Sequence, residues 1–294
     1  MLDFRDMQLL TALARHGHFA RAAEECGISQ PAFSTRIRNL EQKLGAPIVK
    51  RGHRFLGFTA EGEIALRWAR RILSDADAMH AEMHAARAGL TGHVCIGTVP
   101  TAITFAAQAL TQMRRAHPGV EAELRSASSD QIRRGLSDGS MDAGITYLST
   151  RLSNDMKTLK LYDERYVLIA PRSLVDPQRD SLTWVEAAEL PLCLLSTDMN
   201  NRRILDQVFA RLGVTPDLAL ETNAFTAALV QVSAGLAATI APEWLVRTVP
   251  LSGALISLPL TDPDVAEPIG FAYQRKGQAS PVLEAVQEIF VATA

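Results

Sequence analysis

The sequence predicts an α/β protein in which an all-α winged helix-turn-helix precedes a larger domain of alternating strands and helices. Three observations lead there. Short helical patterns and a basic hairpin crowd the front of the chain, and from Val94 onward strand and helix patterns alternate. Charge is uneven as well: between Arg15 and Arg71 stand eleven Lys or Arg and five Glu, a net +6 in a chain whose total is −2. A basic block on an otherwise acidic chain is the footprint of a phosphate-binding surface.

At 294 residues and 47% hydrophobic, the chain is long enough for two or three cores and is not disordered. The three cysteines, Cys26, Cys95 and Cys193, are odd in number and widely spaced. They give neither a disulfide framework nor a metal motif, which suits a reducing cytoplasm. Acids in Met1–Asp6 stand where a signal peptide wants basic residues. The most apolar stretch, Leu229 to Val246, is broken by Gly235, Pro242 and Glu243. The expectation is a soluble cytoplasmic protein without a membrane partner.

Phe4, Met7, Leu10 and Leu13 recur at helical spacing before Gly17. A short second helix carries Phe19, Ala22, Ala23 and Cys26 and stops at Gly27. Ser29 caps a third helix over 30–44, with Pro31 in its first turn. Phe33, Ile37, Leu40 and Leu44 form its apolar stripe. Opposite lie Pro31, Ser34, Thr35 and Arg38, flanked by Gln30 and Arg36. That face offers amide, hydroxyl and guanidinium groups and no acid, the chemistry that base edges and phosphates require in a major groove. A plain solvent face of a three-helix domain would carry similar residues. Gln30, near the helix start, is the candidate base reader.

Pro47–Lys50 and Phe55–Phe58 read as the arms of a hairpin. Lys50, Arg51, His53 and Arg54 at its tip make a wing for phosphate or the minor groove. Thr59 caps a long helix with Glu61 and Glu63 in its first turn. On it Ala65, Trp68, Ile72, Ala76, Met79, Met83, Ala86 and Leu90 follow one another by threes and fours. This near-heptad seam calls for a partner, most simply a twin helix, and so for a two-fold dimer on paired DNA half-sites.

Phe19-Ala20-Arg21-Ala22-Ala23-Glu24, then Ile28 to Ser34, then Ile37 to Gly45, closely resemble the LysR-type transcriptional regulators. Arg51 and Thr59-Ala60-Glu61-Gly62 add to the match, which is continuous over about residues 2–65. The resemblance implies paired linker helices, a homotetramer built as a dimer of dimers, interrupted palindromic DNA sites, and an inducer that alters DNA bending and contact with RNA polymerase. It carries DNA contacts onto Gln30, Pro31, Ser34, Thr35 and Arg51. Two positions depart from the family pattern. His18 stands where a Ser or Thr helix cap is usual, and Val49 replaces a phenylalanine before the wing.

After a break at Arg87 to His93, strands are expected at Val94–Gly97, Val120–Leu124 and Asp142–Ile145, with helices at Thr101–Ala116 and Ser129–Leu136. From about Tyr162 a second series offers strands at Tyr166–Ala170, Leu192–Leu195, Leu218–Glu221 and Leu236–Ile240. A strand at Pro268–Gln274 and a helix at Pro281–Ala292 close the chain. Such alternation builds a parallel sheet covered by helices. The resemblance implies that the tail returns to the first subdomain, so that two subdomains enclose a cleft, as in periplasmic binding proteins. The expected division is 1–59 winged helix-turn-helix, 60–90 linker helix, and 91–294 effector domain. Subdomain I would take 91–161 and 268–294, and subdomain II 162–267.

Open α/β sheets bind ligands at strand C-termini and helix N-termini. That rule selects Thr98, Pro100, Thr101 and Ala102, then Ser128 and Ser129, Thr146, Asn200 to Arg203, and Thr222 to Phe225, with Asn223 and Phe225 the candidates there. Each hydroxyl could equally be a plain helix cap, except that the resemblance places an inducer-contacting residue on Thr101. Arg202 and Arg203 lie near a helix N-terminus, where a cation opposes the dipole. An anionic effector would compensate them; so would solvent or a second subunit.

Two other classes fare worse. An enzyme would want a phosphate loop, a GxSxG elbow or an HExxH motif, and the chain has none of them. His80, Glu82 and His84 have the wrong spacing for such a hydrolase and no evident third metal ligand, so neither metal nor cofactor is expected. A free solute-binding receptor would match the second domain but not the DNA-binding unit ahead of it.

Overall fold

The computed structural model describes residues 3–50, 55–88, 90–149, 155–275 and 280–294. It divides into two compact units, the first Met1–Gly92 with the short segments Ser137–Ser140 and Ser280–Val282, the second the rest of the chain from His93.

The first unit is built from α1 (Phe4–His16), α2 (Phe19–Glu25), α3 (Gln30–Leu44) and α4 (Ala60–Ala88). Local signals set these ends. Asp3 and Asp6 form a reciprocal capping box on α1, and Gly17 leaves it at φ 59°. His18 does the work of the usual hydroxyl cap: its Nδ1 accepts from the Ala20 N–H at 3.2 Å. Ser29 caps α3, accepting from Ala32 N–H, and Gly45 closes it at φ 70°. Leu9, Leu13, Ala22, Phe33, Ile37 and Leu40 are at most 1% exposed and form the centre of the core. Phe19 packs edge-on against both Phe33 and Phe55. Leu44, expected in the stripe, is 37% exposed because the helix ends there.

The hairpin arms meet at an antiparallel bridge between Val49 and Phe58. Lys50 N–H donates to Gly57 O at 2.9 Å. Val49 is buried in the core cluster. Thr59 ties the hairpin to α4, donating to Pro47 O and accepting from Gly62 N–H. A Cβ at Gly62 would lie 1.9 Å from Ile48 O, so only glycine permits this approach. Leu66 and Ala69 of α4 are buried in this core. The seam departs from expectation at its start, since Ala65 packs on its own unit. Trp68, Ile72, Met79 and Met83 beyond it are exposed. The side chains of Ala86, His80, Glu82 and His84, and the wing tip with Arg51, His53 and Arg54, lie outside the described residues.

The second unit runs β1 (Thr91–Thr98), a 3-10 turn (Pro100–Ala102), α5 (Ile103–Ala116), β2 (Gly119–Ser126), α6 (Ser129–Asp138), β3 (Ala143–Tyr147), β4 (Met156–Pro171), β5 (Leu182–Thr183), α7 (Trp184–Ala188) and β6 (Leu192–Leu195). It continues with α8 (Asn200–Leu212), β7 (Leu218–Thr222), α9 (Phe225–Ser233), β8 (Thr239–Pro242), α10 (Glu243–Thr248), β9 (Leu255–Thr261), β10 (Ala266–Gln274) and α11 (Pro281–Thr293). The main sheet has the order β2-β1-β3-β10-β4-β9-β5, with β8 also on β4 and a separate β6-β7 pair.

The sheet is mixed rather than parallel. β1–β3, β5–β9 and β6–β7 are parallel, while β10 runs antiparallel between β3 and β4. β4 is one long strand. Its first part pairs with β10 as far as Arg165↔Ala266, and its last part with β8 and β9 from Tyr166 on. A single strand therefore carries the chain from one half of the domain to the other. β8 begins three residues later than expected. Gly235, at φ 78°, ends α9, and Leu236 N–H closes that end on Gln231 O, leaving the Leu236 side chain 65% exposed.

Candidate functional site

On α3 the structure separates scaffold from surface. Asp6 of α1, only 4% exposed, accepts from Lys43 Nζ at 2.7 Å. Glu41 accepts from the backbone N–H groups of Ile48 and Val49. These contacts fix the C-terminal half of the helix against α1 and the hairpin. Gln30, Pro31, Thr35, Arg36 and Arg38 are exposed and Ser34 is half-buried. Donors, acceptors and two guanidinium groups thus cover one outward face of a helix held rigidly from behind, an arrangement able to enter a groove.

In the second unit a narrow cleft is lined by Val99, Pro100, Thr101, Ser128, Ser129, Tyr147, Met199, Asn200 and Asn201. Its free volume is about 10 Å³, room for about one water. The lining gathers the segment after β1, the N-terminus of α6, the end of β3 and the N-terminus of α8, as binding at strand ends requires. Among the residues selected from sequence, Pro100, Thr101, Ser128, Ser129, Asn200 and Asn201 come together there.

Others do not. Thr98 is fully buried and its hydroxyl donates to Val99 O. Ala102 is buried in the turn. Thr146 donates to Ser129 Oγ at 3.0 Å, supporting the wall from behind. Asn223 is exposed outside the lining, and Phe225, also outside it, packs with Val167, Ile169 and Leu195 in an apolar cluster that the lining residue Met199 borders. Arg202 has its compensation within the chain. Its guanidinium donates to Asp206, to Glu221 and to Leu195 O at 2.8–3.0 Å. Arg203 reaches the Thr197 and Asp198 carbonyls. The anion expected from this pair therefore lacks the free cation it was to meet.

Four residues were not read from the sequence: Val99 and Met199, which add apolar lining, and the pair Tyr147 and Glu164. Tyr147 stands two residues past the expected end of its strand. Its hydroxyl donates to Glu164 Oε1 at 2.6 Å and is 3.0 Å from Thr101 Oγ1. Glu164, on β4 just before the strand changes partners, is 1% exposed. Burial pushes its carboxyl up to about 7, opposed by the bond from Tyr147. Its signal was present: Tyr162, Glu164, Tyr166 and Leu168 alternate inward, so one acid sits among apolar and aromatic positions. Among the described residues no cluster of three or more His, Cys, Asp or Glu is placed to hold a metal. No described helix is long and apolar enough to cross a membrane.

Comparison with known proteins adds the following. Similar proteins include the Hydrogen peroxide-inducible genes activator of Dickeya chrysanthemi, 25% identical over 98% of this chain and 95% of that protein. The DNA-binding transcriptional dual regulator OxyR of Escherichia coli (strain K12) is 26% identical over 93% and 90%. Among solved structures, full-length OxyR from Pseudomonas aeruginosa shares the fold at TM-score 0.77 and 23% identity, covering 100% of this chain and 97% of that one. CbnR with its target DNA does so at 0.72 and 23%, covering 100% of both. Residues 4–63 match the Bacterial regulatory helix-turn-helix protein, lysR family, and residues 87–294 match the LysR substrate binding domain. Front and back alike, the chain belongs to the LysR family of DNA-binding transcriptional regulators.

Proposed function

We propose that the chain reads double-stranded DNA through Gln30, Pro31, Ser34, Thr35, Arg36 and Arg38 on α3 together with Arg51, His53 and Arg54 of the wing, and answers to a small molecule held in the cleft. The observation that carries this reading is the exposed, acid-free face of α3, braced from behind by Lys43–Asp6 and Glu41. The exposed apolar residues Trp68, Ile72, Met79 and Met83 support pairing of α4 with a second copy, and a dimer of dimers beyond that. The division into 1–59, 60–90 and 91–294 follows α4 and the start of β1. A split of the last part into 91–161 with 268–294, and 162–267, is proposed with it, supported to within a few residues by the change of partners along β4 between Arg165 and Tyr166 and by the return of β10.

Several relatives are named for hydrogen peroxide, but Cys95 and Cys193, the two cysteines of the second unit, favour a ligand bound there without covalent chemistry. Cys95 is buried, and that burial pushes its thiol up to about 11; Cys193 is fully buried and also raised. A thiol held protonated is a poor peroxide nucleophile, and neither lines the cleft. Neither an enzymatic step nor a resident cofactor is needed for this role.

The test is footprinting of purified protein on DNA flanking its own gene, over a salt series with non-specific competitor. A protected, two-fold-related site whose affinity falls with salt is expected. Binding no tighter than to competitor would overturn the reading at that locus.

A further inference from the structure

The cleft holds an unanswered polar group. Asn201 is 2% exposed and lines the cleft, yet neither its Oδ1 nor its Nδ2 has a hydrogen-bond partner. A buried amide with donor and acceptor both unmet is costly, and a ligand that meets them recovers that cost.

The surrounding hydrogen atoms can be counted. Tyr147 has one, which goes to Glu164. Thr101 then donates to Tyr147, and its oxygen is left to accept. Ser129 Oγ accepts from Thr146, and Ser128 Oγ accepts from Gln131 N–H, so both serine hydroxyls keep a proton to give. The cleft offers acceptors and donors side by side, and all nine lining residues are uncharged. The neighbouring cations Arg202 and Arg203 are engaged within the chain. Behind Tyr147 stands the Glu164 carboxyl. Its Oε2 has no partner, and its register neighbour on β10 is another acid, Glu267. Among the described residues an anion entering here would meet no free side-chain cation, only the N-termini of α6 and α8, and it would approach a buried acid.

We propose that the cleft binds a small uncharged ligand with an amide-type donor–acceptor pair, such as a carboxamide, lactam or urea, read by the Asn201 side chain. This rests on the cleft being the effector site. With free volume of about 10 Å³, any organic ligand must part the walls, and Met199, unbranched and half-buried, is the pliable one.

The test uses full-length protein and matched probes that differ in charge: acetamide, propionamide and benzamide against acetate, propionate and benzoate. Saturation-transfer NMR would rank each pair. Amides are expected to bind and their carboxylates to bind about tenfold more weakly or not at all. Asn201→Leu is expected to weaken the amides about tenfold. Asn201→Asp, which keeps the shape and removes the donors, should do likewise, with unchanged circular dichroism as the folding control. Carboxylates that outbind amides and are lost in Thr101→Val would overturn the ligand class and leave the effector cleft standing. Amide binding indifferent to Asn201, Thr101 and Ser128 substitutions would overturn both. Failure of every amide to bind would overturn the proposal, while footprinting judges the regulator reading separately.

Discussion

On α3, six candidate contact residues fall within nine consecutive positions, and none of them is buried. In the cleft, nine lining residues come from four separated segments, and none is exposed. The first surface is made by one helix and its caps. The second exists only after distant strands have paired. Local chemistry therefore governs the DNA-facing surface, whereas burial governs the cleft, where each polar atom must be met or remain costly. Substitutions can sharpen or break that contrast.

The largest effect is expected at Gly62, where the obstacle is backbone and cannot rotate away. Gly62→Ala should destabilise the first unit by about 3 kcal/mol and abolish DNA binding, read by thermal melting and gel shift. An unchanged melting temperature would mean that α4 does not dock on the hairpin as described.

Glu164 comes next. Its native pKa, about 7, lies above the ordinary 4.5, so the native state keeps a proton that the unfolded chain has lost. Stability conferred by the neutral acid is then full below pH 4.5, falls as pH rises toward 7, and is level above it. Glu164→Gln keeps a neutral group of the same shape. It should raise stability at pH 8, on the order of 3 kcal/mol relative to its effect at pH 4. Denaturant titrations at the two pH values measure this, and a pH-independent difference would contradict it.

Arg202→Ala should cost about 2 kcal/mol of stability, since it strands Leu195 O and unpairs two half-exposed acids. If it changed ligand affinity with stability intact, Arg202 would belong to the binding surface after all. Gln30→Ala should leave folding alone and cost about 1–2 kcal/mol of discrimination between operator and random DNA at fixed salt. Equal discrimination would remove Gln30 as the base reader.

What could be read in advance follows the same contrast. Caps at Ser29 and Thr59, the glycine stops and the apolar stripe Phe33, Ile37 and Leu40 are short-range patterns, and the structure has them in place. The rule that ligands meet strand ends reached Pro100, Thr101, Ser128 and Asn200 without knowledge of strand order. It stopped at Thr146, one residue short of Tyr147, because β3 gains its last two residues by pairing with β10, more than a hundred positions later. Arg202 misled because its partner Glu221 sits on β7, invisible from the helix alone. β5 has only two residues and is held by pairing with β9, which leaves no local periodicity to read.

The most direct test of the central claim is selection of duplexes by the full-length chain from a random DNA library at physiological salt, followed by sequencing. The account predicts enrichment of a two-fold-related motif, with half-sites about one helical turn or a multiple of it apart, lost on Gln30→Ala with Arg38→Ala. A library that stays random, or enrichment that survives both substitutions, would contradict it.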